Sequence, residues 1–287
     1  MSSLRARLAP YFLVLPGGLW LAVFFVVPMF AMVAVSLQTG SLETGFQQTF
    51  AWHNYTDMIS QYHSQLLRSF KYGFVTTVLT ILLAYPMAYW IAFRGGRHKS
   101  TYLFLILLPF FVTFVIRTIS WQFLLADKGI VLGPLKSHGL VPQSFHILAT
   151  PYAVVGGLVY NFLPFMVLPI YVALERIDRS LLEAASDLFA NRREAFTQVV
   201  LPLSLPGVFA GVILTFVPAA ADYVNAQILG GSGQVMIGNI IETLYLTNSQ
   251  YPQASALSSI LLAALLVGIF VYAKALGTRD VLDASAG

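Results

Sequence analysis

The sequence predicts an all-α integral membrane protein with six transmembrane helices. Of its 287 residues, 57% are hydrophobic and only 10% are charged, whereas a soluble domain carries about 25% charged residues. Six apolar segments are each close to the ~20 residues that a helix needs to cross the hydrocarbon core of a bilayer. The sequence shows none of the ~10-residue alternation of membrane β-barrel strands. Spanning helices are therefore expected, because they satisfy every backbone polar group internally.

The six spans follow the apolar segments in chain order. They are 11–37, 70–93, 101–125, 151–174, 205–221 and 254–276, within one transmembrane domain over residues 1–287. The first is too long for a secretory signal and has no cleavage site, so we expect a retained helix. Arg117 interrupts the third, and the fifth is the shortest.

Lysine and arginine are distributed unequally between the two sides of this arrangement. The termini and the loops 94–100 and 175–204 hold eleven of the 16 basic residues, and the other side with its helix ends holds five. By the positive-inside rule, both termini are predicted to be cytoplasmic. The net charge of +4 then reflects topology, so the expected partner is the lipid bilayer and not nucleic acid.

Catalytic and cofactor motifs are missing from the sequence. It has no cysteine and five histidines, and no HExxH pair suits a metal. The basic turn "GGRHKS" (95–100) lacks the Gly-Lys pair of a phosphate-binding loop. G-x-S-x-G is also missing. We therefore expect no metal, no cofactor and no enzymatic activity in this chain.

Three polar residues in or beside the spans have two interpretations each. Asp222 is expected about 25 Å along the helix from Leu205, near the outer interface, as a helix-end residue or as part of a substrate path. Asn161 lies near the middle of the fourth span, where its amide would line a cavity or bridge two helices. Glu242 follows a Gly-rich turn in a short predicted surface helix. It would face a cationic ligand, a docking protein or only solvent.

The most polar stretch lies between the fourth and fifth spans. "LLEAASDLFANRREAF" (181–196) has neither proline nor glycine, which predicts one helix. Glu183, Asp187 and Glu194 would form an acidic edge. Leu182, Ala185, Phe189 and Phe196 would form an apolar face. "LPLSLPG" (201–207) is expected to break the helix. Because this helix mixes acids with arginines, a protein partner is favoured over a membrane surface.

This stretch resembles the EAA loop of the permease subunits of binding-protein-dependent ABC importers. Glu183, Ala184 and Ala185 match the E-A-A, and Asp187 and Leu188 match the Asp-Leu positions. Leu201, Pro202, Pro206 and Gly207 match the closing segment. The departure is Phe189, where the family has a glycine that allows a bend between two coupling helices.

The similarity extends from about Trp52 through most of the chain. "ILLAYPMAYWIAF" (81–93), "LVYNFLPFMVLPIYVALERID" (158–178) and "ILGGSGQVMIGNIIE" (228–242) resemble the first permease subunit of spermidine/putrescine importers. The EAA element is specific for the importer class. Permeases for other small solutes share this architecture, so another solute is the alternative.

The resemblance implies the type I ABC importer permease architecture in the plasma (inner) membrane of a prokaryote. The implied partners are a homologous second permease subunit, two copies of an ATPase subunit that carries ATP and Mg, and an extracytoplasmic solute-binding protein. ATPase coupling is implied for Glu183, Ala184, Ala185, Asp187, Leu188, Phe189 and Phe196. A cationic substrate would use carboxylates and aromatic faces, for which Asp222, Glu242, Tyr160, Asn161 and Trp121 are the candidates.

A self-contained secondary transporter or channel is the rival class. It would need titratable groups inside the membrane for ion coupling, and usually an inverted repeat. The sequence shows no acid near the middle of any predicted span and no clear repeat, which favours the importer subunit.

Overall fold

The protein is almost entirely helical in the computed structural model, which describes residues 14–275. Its helices are α1 (Val14–Ser36), α2 (His53–Arg94), α3 (Lys99–Leu107), α4 (Phe114–Leu125), α5 (Leu132–Ser137), α6 (Pro151–Glu175), α7 (Arg179–Asp187), α8 (Arg192–Ala220), α9 (Val224–Leu229), α10 (Ile237–Glu242) and α11 (Tyr251–Ala275). Strands β1 (Gln38–Ser41) and β2 (Gly45–Gln48) pair antiparallel, with Gln38 opposite Gln48. Residues 11–13 of the first predicted span and residue 276 of the last lie outside the described residues, as do Arg5, Arg7 and Arg279.

Helices long and apolar enough to cross a membrane account for most of the described chain. They are α1, α2, α6, α8 and α11. A sixth span results if the pair Gly96–Phe111 and α4, bent by 90°, is counted as one. The prediction of an all-α membrane protein with about six spanning helices is confirmed.

The bend in this pair does not lie at Arg117, where the sequence suggested an interruption. It lies at Val112 (φ −100°, ψ 137°) and Thr113 (φ −60°, ψ 147°), which are extended. Pro109 is the second residue of the short 3₁₀ segment Leu108–Phe111 just before them. Because proline favours a helix end and supplies no N–H, the chain turns here, and Arg117 lies within α4.

The helix that contains the fifth predicted span begins well before residue 205. A π-helical turn, Phe196–Val200, joins the start of α8 to the rest of the helix. Pro202 lies two residues after this wider turn, and Pro206 lies inside the helix. The prediction that Leu201–Gly207 breaks the helix is therefore wrong, because the wider turn ahead of Pro202 lets the chain continue without the missing N–H.

The described residues form two compact units, and the boundary between them crosses α2, α10 and α11. The first unit holds the chain up to His63 together with Ile240–Ala264, and the second holds Ser64–Asn239 with the residues from Leu265 onward. In the first, the Asn54 side-chain amide donates to the carbonyls of Ser36 (2.8 Å) and Gln38 (3.0 Å). This buried amide joins the end of α1 and β1 to the start of α2.

The core of the second unit is arranged around α6. Its fully buried side chains include Leu158, Met166, Ile170 and Leu174. Glycines bring α8 against α6: a Cβ on Gly207 would lie 2.5 Å from the Pro169 carbonyl oxygen, and one on Gly211 would lie 2.6 Å from Met166 Sδ. Small residues at such crossings let membrane helices approach closely enough for dispersion contacts to hold them.

Candidate functional site

Residues 175–204, which we call the EAA loop after the motif that they resemble, contain α7 and the start of α8, each with a clear starting signal. The carboxylate of Asp178 accepts a hydrogen bond from the Ser180 amide (2.9 Å) at the start of α7, which lowers the pKa of this exposed group. Asn191 caps α8, because its side chain accepts from the Glu194 amide (3.0 Å) while Glu194 accepts from the Asn191 amide (2.7 Å). This reciprocal capping box starts a new helix three residues after Leu188.

The turn between these segments is a helix C-terminal motif built on Phe189. The Phe189 amide donates to the Ser186 carbonyl (3.0 Å) and the Ala190 amide to the Ala185 carbonyl (3.0 Å). These two bonds define the Schellman arrangement, whose left-handed position usually holds glycine. Phe189 occupies that position with φ 63°, at a cost of roughly 1–2 kcal/mol for a residue with a side chain. The expectation of one unbroken helix over residues 181–196 is therefore wrong.

The bend changes which side chains share a face. Leu182 and Phe196 pack against the core of the second unit, and Ala185 is half-buried. Phe189, expected on this face, is 96% exposed. Glu194 belongs to the cap of α8, so the acidic edge of α7 consists of Glu183 and Asp187.

The remaining EAA residues face solvent in the described chain. Glu183, Ala184 and Asp187 are exposed, and Leu188 is 81% exposed. Since Leu188 and Phe189 are neighbours, they form an apolar protrusion at the tip of the loop. We call these two residues the tip pair.

Phe196 ties the loop to α2. Its ring makes edge-to-face contacts with Tyr85 (5.9 Å between centroids) and Tyr89 (5.8 Å). The Tyr85 hydroxyl also hydrogen-bonds the Ser204 hydroxyl at 2.8 Å. These contacts hold the base of the loop against α2.

A second group of polar residues lies buried between α4, α6 and α9. The Asn161 amide donates to Asn225 Oδ1 (3.2 Å) and Thr118 Oγ1 (3.4 Å). Asn225 in turn donates its side-chain amide to Asp222 Oδ1 (3.1 Å) and its backbone amide to Asp222 Oδ2 (2.8 Å). We call Thr118, Asn161, Asn225 and Asp222 the buried polar cluster. Asn161 thus bridges helices, while its own Oδ1 is buried without a partner among the described residues.

Asp222 lies at the end of α8, as both sequence interpretations place it, but its side chain is buried within the protein. It lies two residues beyond α8 and is only 7% exposed. Burial raises its pKa to about 6, although the hydrogen bonds from Asn225 act in the opposite direction. This carboxylate therefore changes its charge within a range close to neutrality.

Aromatic rings lie beside this cluster along α4 and α6. Trp121 and Tyr160 meet edge to face, with 5.3 Å between their centroids. The Arg117 guanidinium lies over the Phe110 ring, 4.7 Å from its centroid, and its Nε and Nη1 have no hydrogen-bond partner in residues 14–275. The ring faces provide the electrostatic compensation that a buried cation needs.

Four of the five candidate pathway residues form two pairs in the second unit. Asn161 reaches Asp222 through Asn225, and Trp121 contacts Tyr160. Glu242 ends α10 in the first compact unit, where it is half-buried. Among the described residues, no group of three His, Asp or Glu side chains could hold a metal ion.

Sequence reasoning missed Thr118 and Asn225. The signal for Asn225 is its position three residues after Asp222 at the start of a short helix, a spacing typical of carboxylate capping. Thr118 carries no such signal, because a threonine in an apolar span usually bonds its own helix, as Thr118 also does with the Phe114 carbonyl (3.1 Å).

Comparison with known proteins gives one family for most of the chain. Residues 66–276 match the family described as the binding-protein-dependent transport system inner membrane component. The spermidine/putrescine transport system permease protein PotB of Haemophilus influenzae is 35% identical over 89% of this chain and 90% of that protein. The Escherichia coli PotB is 32% identical over 89% and 94%.

A further relative and two solved structures extend the comparison. The inner membrane ABC transporter permease protein YdcU of Escherichia coli is 33% identical over 76% of this chain and 72% of that protein. A bacterial ABC transporter involved in import of the acidic polysaccharide alginate has a chain of similar fold (TM-score 0.73, 18% identity, 96% and 98% coverage). The alginate transporter in complex with its substrate-bound periplasmic protein gives a TM-score of 0.65 at 18% identity, covering 93% and 94%.

Proposed function

Because the chain belongs to the family of binding-protein-dependent transport system inner membrane components, we propose that it is an ABC importer permease subunit that carries a polyamine. The main support for this proposal is the 35% identity, over 89% of the chain, to a spermidine/putrescine permease. The chain provides part of the pathway, and a separate subunit hydrolyses ATP.

The proposed assembly contains this chain, a homologous second permease, two ATPase subunits that bind ATP and Mg, and an extracytoplasmic solute-binding protein. Both termini and the EAA loop lie in the cytoplasm. The excess of basic residues on that side supports this orientation. The exposed tip pair between charged flanks supports a protein partner for the loop.

Coupling in this proposal passes through the EAA loop. The ATPase contacts the exposed face of α7, which presents Glu183, Ala184 and Asp187, and the tip pair. Closure of the ATPase dimer moves the loop. Phe196 transmits the movement, because its ring is held between Tyr85 and Tyr89 of α2, and the pathway switches between inward-facing and outward-facing states.

The pathway in this proposal passes the buried polar cluster. A polyamine carries several ammonium groups, which carboxylates and ring faces attract. The Asp222 carboxylate, the unpartnered Oδ1 of Asn161 and the Trp121–Tyr160 pair offer these groups on adjacent helices. Glu242, in the first compact unit, is a further acidic candidate for the pathway.

The function is tested by ATP hydrolysis in the assembled importer. The complex is reconstituted in proteoliposomes with its solute-binding protein, and hydrolysis is measured with spermidine, with putrescine and without polyamine. We expect stimulation by a polyamine. Glu183→Arg should abolish it while membrane insertion is retained, because it reverses the charge on the ATPase-facing edge of α7.

The matched control for this charge reversal is Glu43→Arg. Glu43 is an exposed acid in the turn between β1 and β2, on the side opposite the proposed cytoplasmic face, so its reversal should leave stimulation unchanged. Normal stimulation in the Glu183→Arg complex would remove the coupling assignment. Stimulation by other solutes but by neither polyamine would remove the substrate assignment.

A further inference from the structure

The most strained exposed aromatic residue of the proposed cytoplasmic face is Phe189. Its backbone has φ 63° and its side chain is 96% exposed. A left-handed backbone is costly for a residue with a Cβ and free for glycine. The Schellman hydrogen bonds from Phe189 and Ala190 use backbone atoms only, so the turn itself does not require the ring.

The ring also contributes almost nothing to the packing of its own chain. Leu182 and Phe196 fill the space between the loop and the core, whereas the tip pair projects away from it. Phe189 therefore lowers the stability of the fold, because its backbone is strained and its exposed ring makes no compensating contact in the described chain. Contact outside the chain can provide the missing burial.

The surroundings of the tip pair indicate the chemistry of that contact. Glu183 and Asp187 are exposed on the α7 side of the ring, and Arg192 and Arg193 are exposed on the α8 side. Charges of both signs within a few residues disfavour immersion in lipid, since a membrane-surface helix carries a basic polar face. An apolar recess with basic groups on one rim and acidic groups on the other complements this surface.

We propose that Phe189 is an anchor residue whose ring enters an apolar recess of the ATPase subunit. This inference rests on the proposed coupling of the EAA loop to an ATPase and assigns the apolar centre of that contact to one residue. Aromatic side chains in fully desolvated pockets are typical binding hot spots, whereas charged pairs at the rim contribute less. The left-handed backbone directs the ring out of the line of both helices.

The proposal predicts opposite effects of one substitution on stability and on assembly. Phe189→Gly removes the backbone strain and the ring together. The permease alone, in detergent, should unfold at the same or a higher temperature. Its affinity for the purified ATPase subunit of the same transport system should fall at least about tenfold, as expected for loss of a hot-spot side chain. Phe189→Leu should lie between the two.

Phe50→Gly is a matched control. Phe50 also has a positive φ (52°) and a largely exposed ring (66%), and it precedes α2 outside the EAA loop. Relief of strain should be similar, and ATPase affinity should not change. If Phe189→Gly binds the ATPase as tightly as the unchanged chain, the anchor is excluded.

Glu183→Arg separates failure of this inference from failure of the proposed function. If Glu183→Arg abolishes ATPase binding while Phe189→Gly preserves it, the loop couples to the ATPase without the anchor. If neither variant affects binding, the coupling function itself is wrong. If Phe189→Gly lowers the ATPase affinity of the full chain only in nanodiscs that contain anionic lipid, the ring contacts the bilayer and the proposal is overturned.

Discussion

At the scale of single residues, Asp222 is a titratable carboxyl group that the fold buries. It is a carboxylate that accepts hydrogen bonds from Asn225 and from the Ala226 amide, in a site that water hardly reaches. The raised pKa, about 6, means that the ionised form costs free energy in the folded protein.

The pH dependence of stability follows from this pKa. Because the pKa of Asp222 in the folded protein (about 6) exceeds the ordinary aspartate pKa of 3.8, the folded state binds more protons between these values. The contribution of Asp222 to stability is therefore fully present below about pH 4 and is lost as the pH rises through 6. Asp222→Asn abolishes this loss, so the stability of the variant relative to the unchanged chain should rise by on the order of 3 kcal/mol from pH 4 to 7.

Thermal unfolding in detergent at pH 4, 5, 6 and 7 measures this difference. Asp57→Asn, which changes an exposed acid, is the control and should show a smaller dependence on pH. In uptake experiments, Asp222→Asn should lower polyamine transport without weakening ATPase binding. A constant stability difference together with normal uptake would leave Asp222 without either role.

The element scale is dominated by α6, which contacts its neighbours through glycines. A Cβ on Gly157 would lie 2.6 Å from Leu229 Cδ1 and 2.7 Å from Asn225 Oδ1, whereas a Cβ on Gly156 would meet nothing within 4 Å. Adjacent positions of one helix thus have opposite surroundings. Gly157 allows α9 to approach closely enough for Asn225 to reach Asn161.

Paired alanine substitutions test this contact. Gly156→Ala should stabilise the helix by up to about 1 kcal/mol through propensity alone. Gly157→Ala has the same propensity but forces Leu229 and Asn225 to move, and it should destabilise by about 1–3 kcal/mol. Thermal unfolding of the two variants gives the comparison. Equal effects would mean that α9 moves freely against α6.

At the scale of the whole molecule, the orientation in the membrane decides which surfaces meet which partners. The proposed arrangement places the start of α6 outside and α7 in the cytoplasm, because eleven of the 16 basic residues lie on the side of the EAA loop. Since the sequence contains no cysteine, single introduced cysteines report their positions without background.

Tyr152→Cys and Ser186→Cys are suitable reporters, because both positions are exposed and α6 separates them. In intact spheroplasts, a membrane-impermeant maleimide should label Tyr152→Cys at once. It should label Ser186→Cys only after the membrane is permeabilised. The reverse pattern would invert the topology and place the EAA loop away from ATP.

The features that the sequence predicted correctly depend on interactions between residues close together in the chain. Long apolar segments reveal spanning helices, because crossing lipid requires about 20 apolar residues. The predictions that failed concern segments whose structure depends on contacts or hydrogen bonds elsewhere. Residues 53–69 join α2 although they are polar, and the turn at Phe189 forms without glycine. The buried polar cluster joins residues from Thr118 to Asn225, a separation that no local pattern reveals.

Hydropathy, charge bias and local motifs are properties of short segments, so the residues alone predict a membrane-spanning chain and a stretch that resembles an EAA loop. Folding in three dimensions is needed to bury Asp222 beside Asn225 and to leave Phe189 exposed in a left-handed turn. Burial and backbone strain result from the packing of α4, α6, α8 and α9, together with the capping of α7 and α8. Neither can be read from the residue itself.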